Sequence, residues 1–364
     1  MARALRLAER GLCTTQPNPR VGCVIVRDDE VVGTGWHERA GGAHAEVVAL
    51  TEAGERAAGA TAYVTLEPCG LRGRTPPCAD ALIAAGVARV VIASQDAFQR
   101  EGGALDRLRA AGIVVDAGLM RDAARALNRG FFSRVERGRP WVRVKLAMSL
   151  DGRTGLANGE SKWITGEAAR ADVQRWRARS SAIVTGIGTV LADDPRLTVR
   201  RVAGEKTGES LGSGASEEAV PPLRVIFDRS LRTPRRSHVL DGSTPTLVLH
   251  GGDATNSDGR FEQVERLAVE SDSYGLDLKQ ALDLLGSRGM NEVQVEAGAT
   301  LSGALFEAGL VDELLLYVAP VFLGDAAKSL LALPTLADMA GRWALQVVDR
   351  REVGADMRLL LRAP

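Results

Sequence analysis

The fold and chemistry of the N-terminal half are indicated by three short stretches: His44-Ala45-Glu46, Glu67-Pro68-Cys69 and Pro76-Pro77-Cys78. One imidazole and two thiolates can bind Zn²⁺, and three protein ligands leave the fourth tetrahedral position open for water, as in catalytic zinc sites. Zinc lowers the pKa of such a water towards neutrality, so hydroxide becomes available near pH 7. The pattern therefore predicts a catalytic zinc centre with His44, Cys69 and Cys78 as ligands.

Glu46 is the candidate proton carrier between the attacking water and a leaving amine, because it lies two residues after the His ligand. Residues i and i+2 do not share a face of a regular helix, so this arrangement requires the metal to lie at the N-terminus of a helix. The set is similar to the H-x-E…P-C-x-x-C signature of zinc nucleobase deaminases. It departs from that signature because eight residues, not two, separate Cys69 from Cys78.

Two other interpretations of the same residues remain open. A structural zinc site would need a fourth protein ligand, and the candidates are Cys13, Cys23 and His37. Alternatively, the cysteines could be small buried core residues without a metal. For Cys23, which lies in an apolar stretch, the core role is the expected one.

The sequence around these stretches alternates between strand and helix patterns, as in a sheet covered by helices. Strands are predicted at 21–26, 31–34, 62–65, 89–93 and 113–115, and helices at 1–10, 44–58, 79–85, 105–111 and 121–134. The polar stretch Glu136-Arg137-Gly138-Arg139-Pro140 then breaks the periodicity. We place the domain boundary there, which gives domains at 1–138 and 139–364.

A second α/β series follows this boundary. Strands are predicted at 142–146, 182–185, 223–227, 246–249, 292–295 and 314–318 and within 344–348 and 357–361, and helices at 167–179, 276–286 and 301–308. The Gly-, Ser- and Glu-rich stretch 201–222 is predicted to be a flexible surface excursion rather than a third domain.

The composition excludes several classes of protein. The 364 residues contain 46 Lys and Arg and 46 Asp and Glu, and zero net charge argues against a nucleic-acid-coating or membrane-surface protein. Four Cys are too few for a disulfide-stapled secreted scaffold. No stretch is apolar enough for a signal peptide or a membrane-spanning helix. We therefore expect a cytoplasmic enzyme.

The second half carries only weak local signals. The turn Gly186-Ile187-Gly188-Thr189-Val190-Leu191 lacks the third glycine of a dinucleotide-binding fingerprint, and it could be a tight strand-to-loop turn or a place of close cofactor approach. Arg177 and Arg200 could bind a phosphate, because the planar guanidinium can donate two hydrogen bonds. A basic cluster that could read the 2′-phosphate of NADP, or be a solvated loop, comprises Arg229, Arg232, Arg235 and Arg236.

Longer motifs in the N-terminal half resemble the bifunctional riboflavin-biosynthesis deaminase–reductase family. They are Pro17-Asn18-Pro19-Arg20-Val21-Gly22-Cys23, Gly42-Ala43-His44-Ala45-Glu46-Val47, Thr65-Leu66-Glu67-Pro68-Cys69 and Gly73-Arg74-Thr75-Pro76-Pro77-Cys78, the last with the family's long Cys spacing. The resemblance implies a cytidine-deaminase-like three-layer αβα domain. It also implies zinc ligands at His44, Cys69 and Cys78 and a proton shuttle at Glu46.

Motifs in the second half are similar to the reductase part of the same family. They are Lys145-Leu146-Ala147-Met148-Ser149-Leu150-Asp151-Gly152, Gly159-Glu160-Ser161-Lys162-Trp163-Ile164-Thr165, Leu191-Ala192-Asp193-Asp194-Pro195 and Val295-Glu296-Ala297-Gly298-Ala299-Thr300-Leu301. The resemblance implies a dihydrofolate-reductase-like α/β domain that reduces a phosphoribosyl substrate with NADPH. The implied cofactor-binding residues are Ala147, Trp163, Thr189, Asp193 and Gly298. The implied substrate-binding residues are Ser161, Arg177, Leu197, Arg200 and Glu296. Trp163 could pack on the nicotinamide or anchor the core.

Two positions depart from the family pattern. Leu71 replaces a His, and Phe98 replaces an Asn, that bind the pyrimidine in the family. The first hypothesis is the complete enzyme, which deaminates a phosphorylated diaminopyrimidinone and then reduces the aminouracil product. The second is an active reductase whose deaminase domain is impaired or has drifted to another amine. The third is a binding module for a phosphorylated pyrimidine. We expect small-molecule substrates, no nucleic-acid or membrane partner, and a homo-oligomer.

Overall fold

The computed structural model describes residues 1–70, 76–99, 103–200, 219–273 and 275–363. The chain divides into two compact units. The first is Met1–Gly138 with the described end of Gly204–Val220, and the second is Arg139–Ala203 with Pro221–Pro364. In the described ranges, no helix is long and apolar enough to cross a membrane.

The N-terminal unit contains one mixed sheet. Its elements in chain order are α1 (Ala2–Glu9), β1 (Gly22–Arg27), β2 (Glu30–Trp36), α2 (Ala45–Ala53), β3 (Thr61–Leu66), α3 (Cys78–Ala84), β4 (Arg89–Ser94), α4 (Ala104–Ala110), β5 (Val114–Ala117), α5 (Arg121–Leu127) and α6 (Arg129–Arg137). The strand order is β2-β1-β3-β4-β5. Strand β1 is antiparallel to β2 and β3, whereas β3, β4 and β5 are parallel.

Glycines in β1 and β2 let helices pack closely on both faces of this sheet. A Cβ on Gly22 would overlap the carbonyl oxygen of Ala4 in α1, and a Cβ on Gly35 would overlap that of Ala45 in α2. Gly35 is paired with Cys23, and successive strand residues point to opposite faces. Helices α1 and α2 therefore cover opposite faces of the sheet, which gives the αβα layering.

The C-terminal unit is built on a larger sheet. Its elements are β6 (Trp141–Ser149), α7 (Glu167–Ala178), β7 (Ala182–Gly186), α8 (Ile187–Asp193), β8 (Leu223–Phe227), β9 (Thr246–Gly251), β10 (Glu265–Val269), α9 (Leu278–Ser287), β11 (Glu292–Val295), α10 (Ala299–Glu307), β12 (Glu313–Ala319), β13 (Gln346–Val353) and β14 (Asp356–Arg362). The strand order is β10-β9-β8-β7-β11-β6-β12-β14-β13, parallel except for β14, which is antiparallel to β12 and β13.

Both faces of this sheet are covered, as alternation along β7 shows. Ala182 and Val184 pack in a core with Leu282 of α9 and Leu305 of α10. Ile183, between them, packs with Val190 of α8 in a different core. Helix α7 packs on the same face of the sheet as α8. Its Trp176 packs with Leu315 and Tyr317 of β12, whereas Leu314 and Leu316 of that strand point to the opposite face, into the α9–α10 core.

The alternation of strands and helices agrees with the layered α/β architecture expected from the sequence, and several boundaries differ. The helix predicted at 44–58 ends at Ala53 and continues as the 3₁₀ turn Gly54–Ala57. The helix predicted at 121–134 is two helices separated at Asn128. The Asn128 side chain is buried, accepts a hydrogen bond from the Arg20 N–H at 2.8 Å and donates one to the Arg20 carbonyl at 2.8 Å.

The second unit contains elements that the periodicity did not predict. Helix α8 follows β7 where a strand-to-loop turn was one interpretation, and β10 is an additional edge strand. Strand β13 extends to Val353, beyond the predicted 344–348. Of the predicted excursion at 201–222, residues 201–218 lie outside the described part of the chain.

Candidate metal centre and ligand cavity

Two helix N-termini and one strand end bring the predicted zinc ligands together. His44 precedes α2, Cys78 is the first residue of α3, and Cys69 follows β3. The His44 Nδ1 atom lies 3.1 Å from Cys78 Sγ and 3.5 Å from Cys69 Sγ, and the three ligand atoms lie within 4.8 Å of one another. Tetrahedral zinc with ordinary bond lengths would separate N and S by about 3.6 Å. The residues therefore fit the metal that the sequence predicted.

The electrostatics of the cluster also suit a cation. The hydrogen bond with the Cys78 thiol lowers the pKa of Cys69 to about 4, and the same bond raises the pKa of Cys78. The Cys78 backbone N–H donates to Cys69 Sγ at 3.2 Å. One negative charge is thus already favoured between the two sulfur atoms.

Glu46 lies in the first turn of α2, two residues after His44, and it is buried. This is the helix-terminus arrangement that the His-x-Glu spacing required. Burial raises the pKa of Glu46 to about 7, although its own backbone N–H and His44 favour the charged form. A carboxyl group with a pKa near neutrality can both accept and return a proton.

Two of the residues considered as a fourth ligand, His37 and Cys23, are engaged elsewhere, and Cys13 does not belong to the cluster of candidate ligands. The His37 ring lies edge-on to His44 at 5.3 Å, but its Nδ1 contacts the Ala43 carbonyl at 3.0 Å and its Nε2 contacts Asn18 Nδ2 at 3.0 Å. Cys23 packs in the apolar core of the unit. In the described part of the chain, the metal-ligating cluster comprises His44, Cys69 and Cys78. The three-ligand set of a catalytic site fits better than a closed structural one.

The two positions that depart from the family pattern are placed differently. Leu71 lies outside the described residues. Phe98 lies in the 3₁₀ turn Ala97–Gln99, where its side chain is 67% exposed and its N–H donates to Asp96 Oδ1 at 2.9 Å.

Sequence reasoning did not single out Arg107 of α4, which contacts residues close to both Cys69 and Cys78. Its Nη1 donates to the Gly70 carbonyl at 2.8 Å, and its Nη2 pairs with the carboxylate of Asp80. Gly70 directly follows Cys69, and Asp80 lies two residues after Cys78. Nothing in the sequence links Arg107 to these distant positions.

The C-terminal unit contains a cavity of about 1190 Å³. Its lining includes every residue that the resemblance implied for this unit: Ala147, Ser161, Trp163, Arg177, Thr189, Asp193, Leu197, Arg200, Glu296 and Gly298. Gly188 and Gly298 also leave open space, because a Cβ on either would have no atom within 4 Å. Such positions allow a ligand to approach the backbone closely, as a bound dinucleotide requires.

Arg177 and Glu296 form an ion pair across the cavity wall. Arg177 Nε lies 2.6 Å from Glu296 Oε1, Arg177 Nη2 lies 2.8 Å from Oε2, and Arg177 Nη1 donates to the Thr198 carbonyl at 2.9 Å. Despite burial, which acts to raise it, the pKa of Glu296 is lowered to about 2 because Arg177 lies against the carboxylate. Arg177 therefore holds Glu296, in addition to any contact with a phosphate.

Two further observations concern the cavity wall. Trp163 is 68% exposed, with the Arg170 guanidinium 4.6 Å from its ring, so the core-anchor interpretation is wrong. Lys145 of β6, which sequence reasoning did not single out, lines the cavity, and burial lowers the pKa of its ammonium while Glu296 opposes that effect. The signal that could have found it is that Lys145, like Arg143, is a charged residue in a stretch whose other members, at 142–146, are apolar.

The arginine cluster after β8 is divided by the cavity. Arg229 and Arg232 line it, together with Ser230, whereas Arg235 and Arg236 are not among the lining residues. Asp228, at the start of this loop, is buried and accepts hydrogen bonds from the backbone N–H groups of Arg232 at 2.9 Å and Thr233 at 2.7 Å. The loop backbone is thus held by its own acidic residue at the point where Arg229 and Arg232 line the cavity.

Comparison with protein families gives two matches that together span both units. A model of the cytidine and deoxycytidylate deaminase zinc-binding region matches residues 1–94, and a model of the RibD C-terminal domain matches residues 140–359. The riboflavin biosynthesis protein RibD of Escherichia coli K12 is 49% identical over 364 residues, covering 99% of this chain and 98% of that protein. RibD of Haemophilus influenzae is 46% identical, covering 99% of this chain and 95% of that protein.

Solved structures agree over the whole chain. Acinetobacter baumannii RibD has a TM-score of 0.90 at 43% identity, covering 100% of this chain and 97% of that one. A diaminohydroxyphosphoribosylaminopyrimidine deaminase/5-amino-6-(5-phosphoribosylamino)uracil reductase from Thermotoga maritima has a TM-score of 0.85 at 30% identity, with the same coverage. The predicted fold class, a cytidine-deaminase-like domain followed by a dihydrofolate-reductase-like domain, is confirmed.

Proposed function

The chain belongs to the RibD family of riboflavin-biosynthesis proteins, and on that basis we propose that residues 1–138 form a deaminase domain and residues 139–364 a reductase domain. It is a bifunctional enzyme that uses Zn²⁺ and NADPH. We assign to it the two reactions named for the Thermotoga maritima relative. The 2-amino group of a phosphorylated diaminopyrimidinone is hydrolysed, and the ribosyl unit of the aminouracil product is reduced to a ribityl chain. Matches to both units do not favour a drifted deaminase domain.

For the deamination, we assign His44, Cys69 and Cys78 to the metal. When bound there, zinc makes water nucleophilic near neutral pH. The Glu46 carboxylate takes a proton from the attacking water and delivers it to the departing amine. Burial, which brings the pKa of Glu46 to about 7, suits a group that must act in both directions.

For the reduction, NADPH supplies the hydride, and the protein aligns it with the sugar C1′ carbon. The cofactor would contact Ala147, Trp163, Thr189, Asp193 and Gly298, and the pyrimidine would contact Ser161, Arg177, Leu197, Arg200 and Glu296. That all ten line one cavity supports both sets. The Gln174 side chain accepts a hydrogen bond from the backbone N–H of Arg200 at 2.9 Å. This contact fixes the backbone of Arg200, which we assign to the phosphate end of the substrate.

We assign the NADPH 2′-phosphate to Arg229 and Arg232. The carboxyl end of a strand next to the cofactor turn is where α/β proteins read the ribose 2′ position, and β8 is paired with β7. The Asp228 carboxylate already accepts hydrogen bonds from two backbone N–H groups, so it does not bind the ribose hydroxyls. Replacing both arginines with Ala should raise the KM for NADPH much more than the KM for NADH.

We also propose that the protein acts in the cytoplasm as a homo-oligomer. The two Cys ligands must stay reduced to bind zinc, which favours a reducing compartment. The edge hairpin of the larger sheet exposes Val347, Val348 and Met357, and an exposed apolar edge strand is a surface suited to association. Sedimentation of the purified protein tests the second point.

The observation that carries the assignment is the three-ligand cluster beside a buried Glu in one unit and the large cavity in the other. The test is to supply the diaminopyrimidine substrate with and without NADPH and to follow ammonia release and NADPH oxidation separately. Ammonia should be released in both cases, and NADPH should be oxidised only after deamination. A protein that oxidises NADPH with pre-deaminated substrate but releases no ammonia contradicts the assignment of the first domain. Glu46→Gln should abolish ammonia release and retain zinc and reduction.

A further inference from the structure

Strand β11 carries two polar residues where apolar ones are expected. Parallel strands covered on both faces are usually near-continuous apolar runs, yet Glu292 and Gln294 are fully buried. Glu292 is explained by its ion pair with Arg143, at 2.9 Å. Gln294 has one side-chain hydrogen bond, from its Nε2 to Glu296 Oε1 at 2.8 Å. Within the described part of the chain, the buried Oε1 of Gln294 has no hydrogen-bond partner. The Gln294 amide therefore acts through its hydrogen bond to Glu296.

The Gln294 contact makes the two oxygens of Glu296 unequal. Oε1 accepts from Arg177 Nε at 2.6 Å and from Gln294 Nε2 at 2.8 Å, whereas Oε2 accepts from Arg177 Nη2 at 2.8 Å. A carboxylate oxygen has two lone pairs. Oε1 is therefore saturated, and Oε2 keeps one lone pair for a donor in the cavity, which Glu296 and Arg177 line.

We infer that Gln294 is a positioning residue for the reduction, which saturates Glu296 Oε1 and so presents Oε2 as the acceptor for the pyrimidine substrate. Gln294 is not among the residues that line the cavity, so it acts through Glu296. The guanidinium of Arg177 pairs with the same carboxylate, and the positive charge of Lys145 also favours the ionised form of Glu296. Lys145 and Arg177 stabilise the negative charge of Glu296, whereas Gln294 determines which of its two oxygens can accept a hydrogen bond from the substrate. This inference rests on the assignment of Glu296 to substrate binding.

Gln294→Met is the direct test, because Met has a similar volume and no N–H donor. Losing one hydrogen bond to a charged group should raise the KM for the aminouracil substrate about tenfold. The KM for NADPH and the rate of ammonia release should stay at the wild-type values. Gln294→Leu should change the same constant in the same direction. A purely structural role would not separate the two substrates of one cavity.

Gln280→Met is the matched control. Gln280 lies on α9, its side chain accepts the Glu270 N–H, and it is not a lining residue of the cavity. This control should keep both KM values. A wild-type KM for the aminouracil in folded Gln294→Met overturns the inference.

Glu296→Gln, measured in parallel, tests the proposed role of Glu296 separately from the proposed role of Gln294. If Glu296→Gln reduces the aminouracil normally, the proposed role of Glu296 is wrong. If Glu296→Gln is impaired while Gln294→Met is normal, only the inference about Gln294 is wrong.

Discussion

The metal centre of the N-terminal unit and the cavity of the C-terminal unit are held by different means. The three proposed metal ligands lie between positions 44 and 78 and are positioned by where α2, α3 and β3 begin or end. The cavity residues extend from Lys145 to Leu330. Its central contact, between Arg177 and Glu296, joins residues 119 positions apart.

This difference has a physical consequence. The ends of two helices and one strand position the proposed metal ligands through the backbone. The whole ligand set therefore comes from one sheet and the helices that pack on it. The cavity depends on side-chain contacts such as the Arg177–Glu296 ion pair between α7 and the end of β11, which form only when the whole sheet is assembled. Losses at the metal centre should therefore be local and chemical, whereas losses in the cavity should also reduce folding stability.

Zinc removal should give the largest effect and the cleanest separation. Chelation should abolish ammonia release, because neither the nucleophilic water nor its partner Glu46 can act without the metal. NADPH oxidation with pre-deaminated substrate should be unchanged, since none of the residues lining the cavity is a proposed metal ligand. Added Zn²⁺ should restore ammonia release. A parallel loss of both activities would mean that the units are not chemically independent.

Arg177→Met should give the next largest effect. It leaves the Glu296 carboxylate buried without its main partner, and breaking a buried pair on one side costs about 3 kcal/mol in the free energy of unfolding. Reduction should fall at least tenfold while ammonia release is retained. Arg288→Met is the control, since the Arg288–Glu265 pair is partly exposed and should cost under about 1 kcal/mol. Equal destabilisation by both variants would contradict the argument.

The same contrast explains what the sequence could and could not predict. The clustering of His44, Cys69 and Cys78 could be predicted from the sequence, because His-x-Glu and the two Cys indicate zinc chemistry by residue type and spacing. Apart from the arginines that residue chemistry had singled out, the cavity residues were named only by resemblance, because no spacing relates Arg177 to Glu296. The helix break at Asn128 depends on its side chain bonding the backbone of Arg20, which is equally invisible to periodicity.

Gly35→Ala tests whether backbone packing positions the metal centre. Its Cβ would overlap the Ala45 carbonyl and lie 2.6 Å from the Ala49 nitrogen, so α2 would have to move together with the adjacent His44. Overpacking of this kind costs about 1–3 kcal/mol, measurable by chemical denaturation, and zinc should bind more weakly. Gly252→Ala is the control, because no atom lies within 4 Å of its Cβ. Unchanged zinc affinity in a destabilised Gly35→Ala would show that α2 does not set the ligand geometry.

Arg107→Ala should have the smallest effect, because Arg107 acts on the metal site only through its contacts with Gly70, next to Cys69, and with Asp80, two residues after Cys78. Its side chain is 42% exposed, so the two contacts together should stabilise the positions of the two Cys by about 1 kcal/mol. Zinc release to a chelator should therefore be several-fold faster, with ammonia release normal at saturating zinc. Arg109→Ala, on the same helix and paired with Asp106, should release zinc at the wild-type rate. If Arg107→Ala also does so, the backbone bond from Cys78 N–H to Cys69 Sγ is sufficient to hold the ligands.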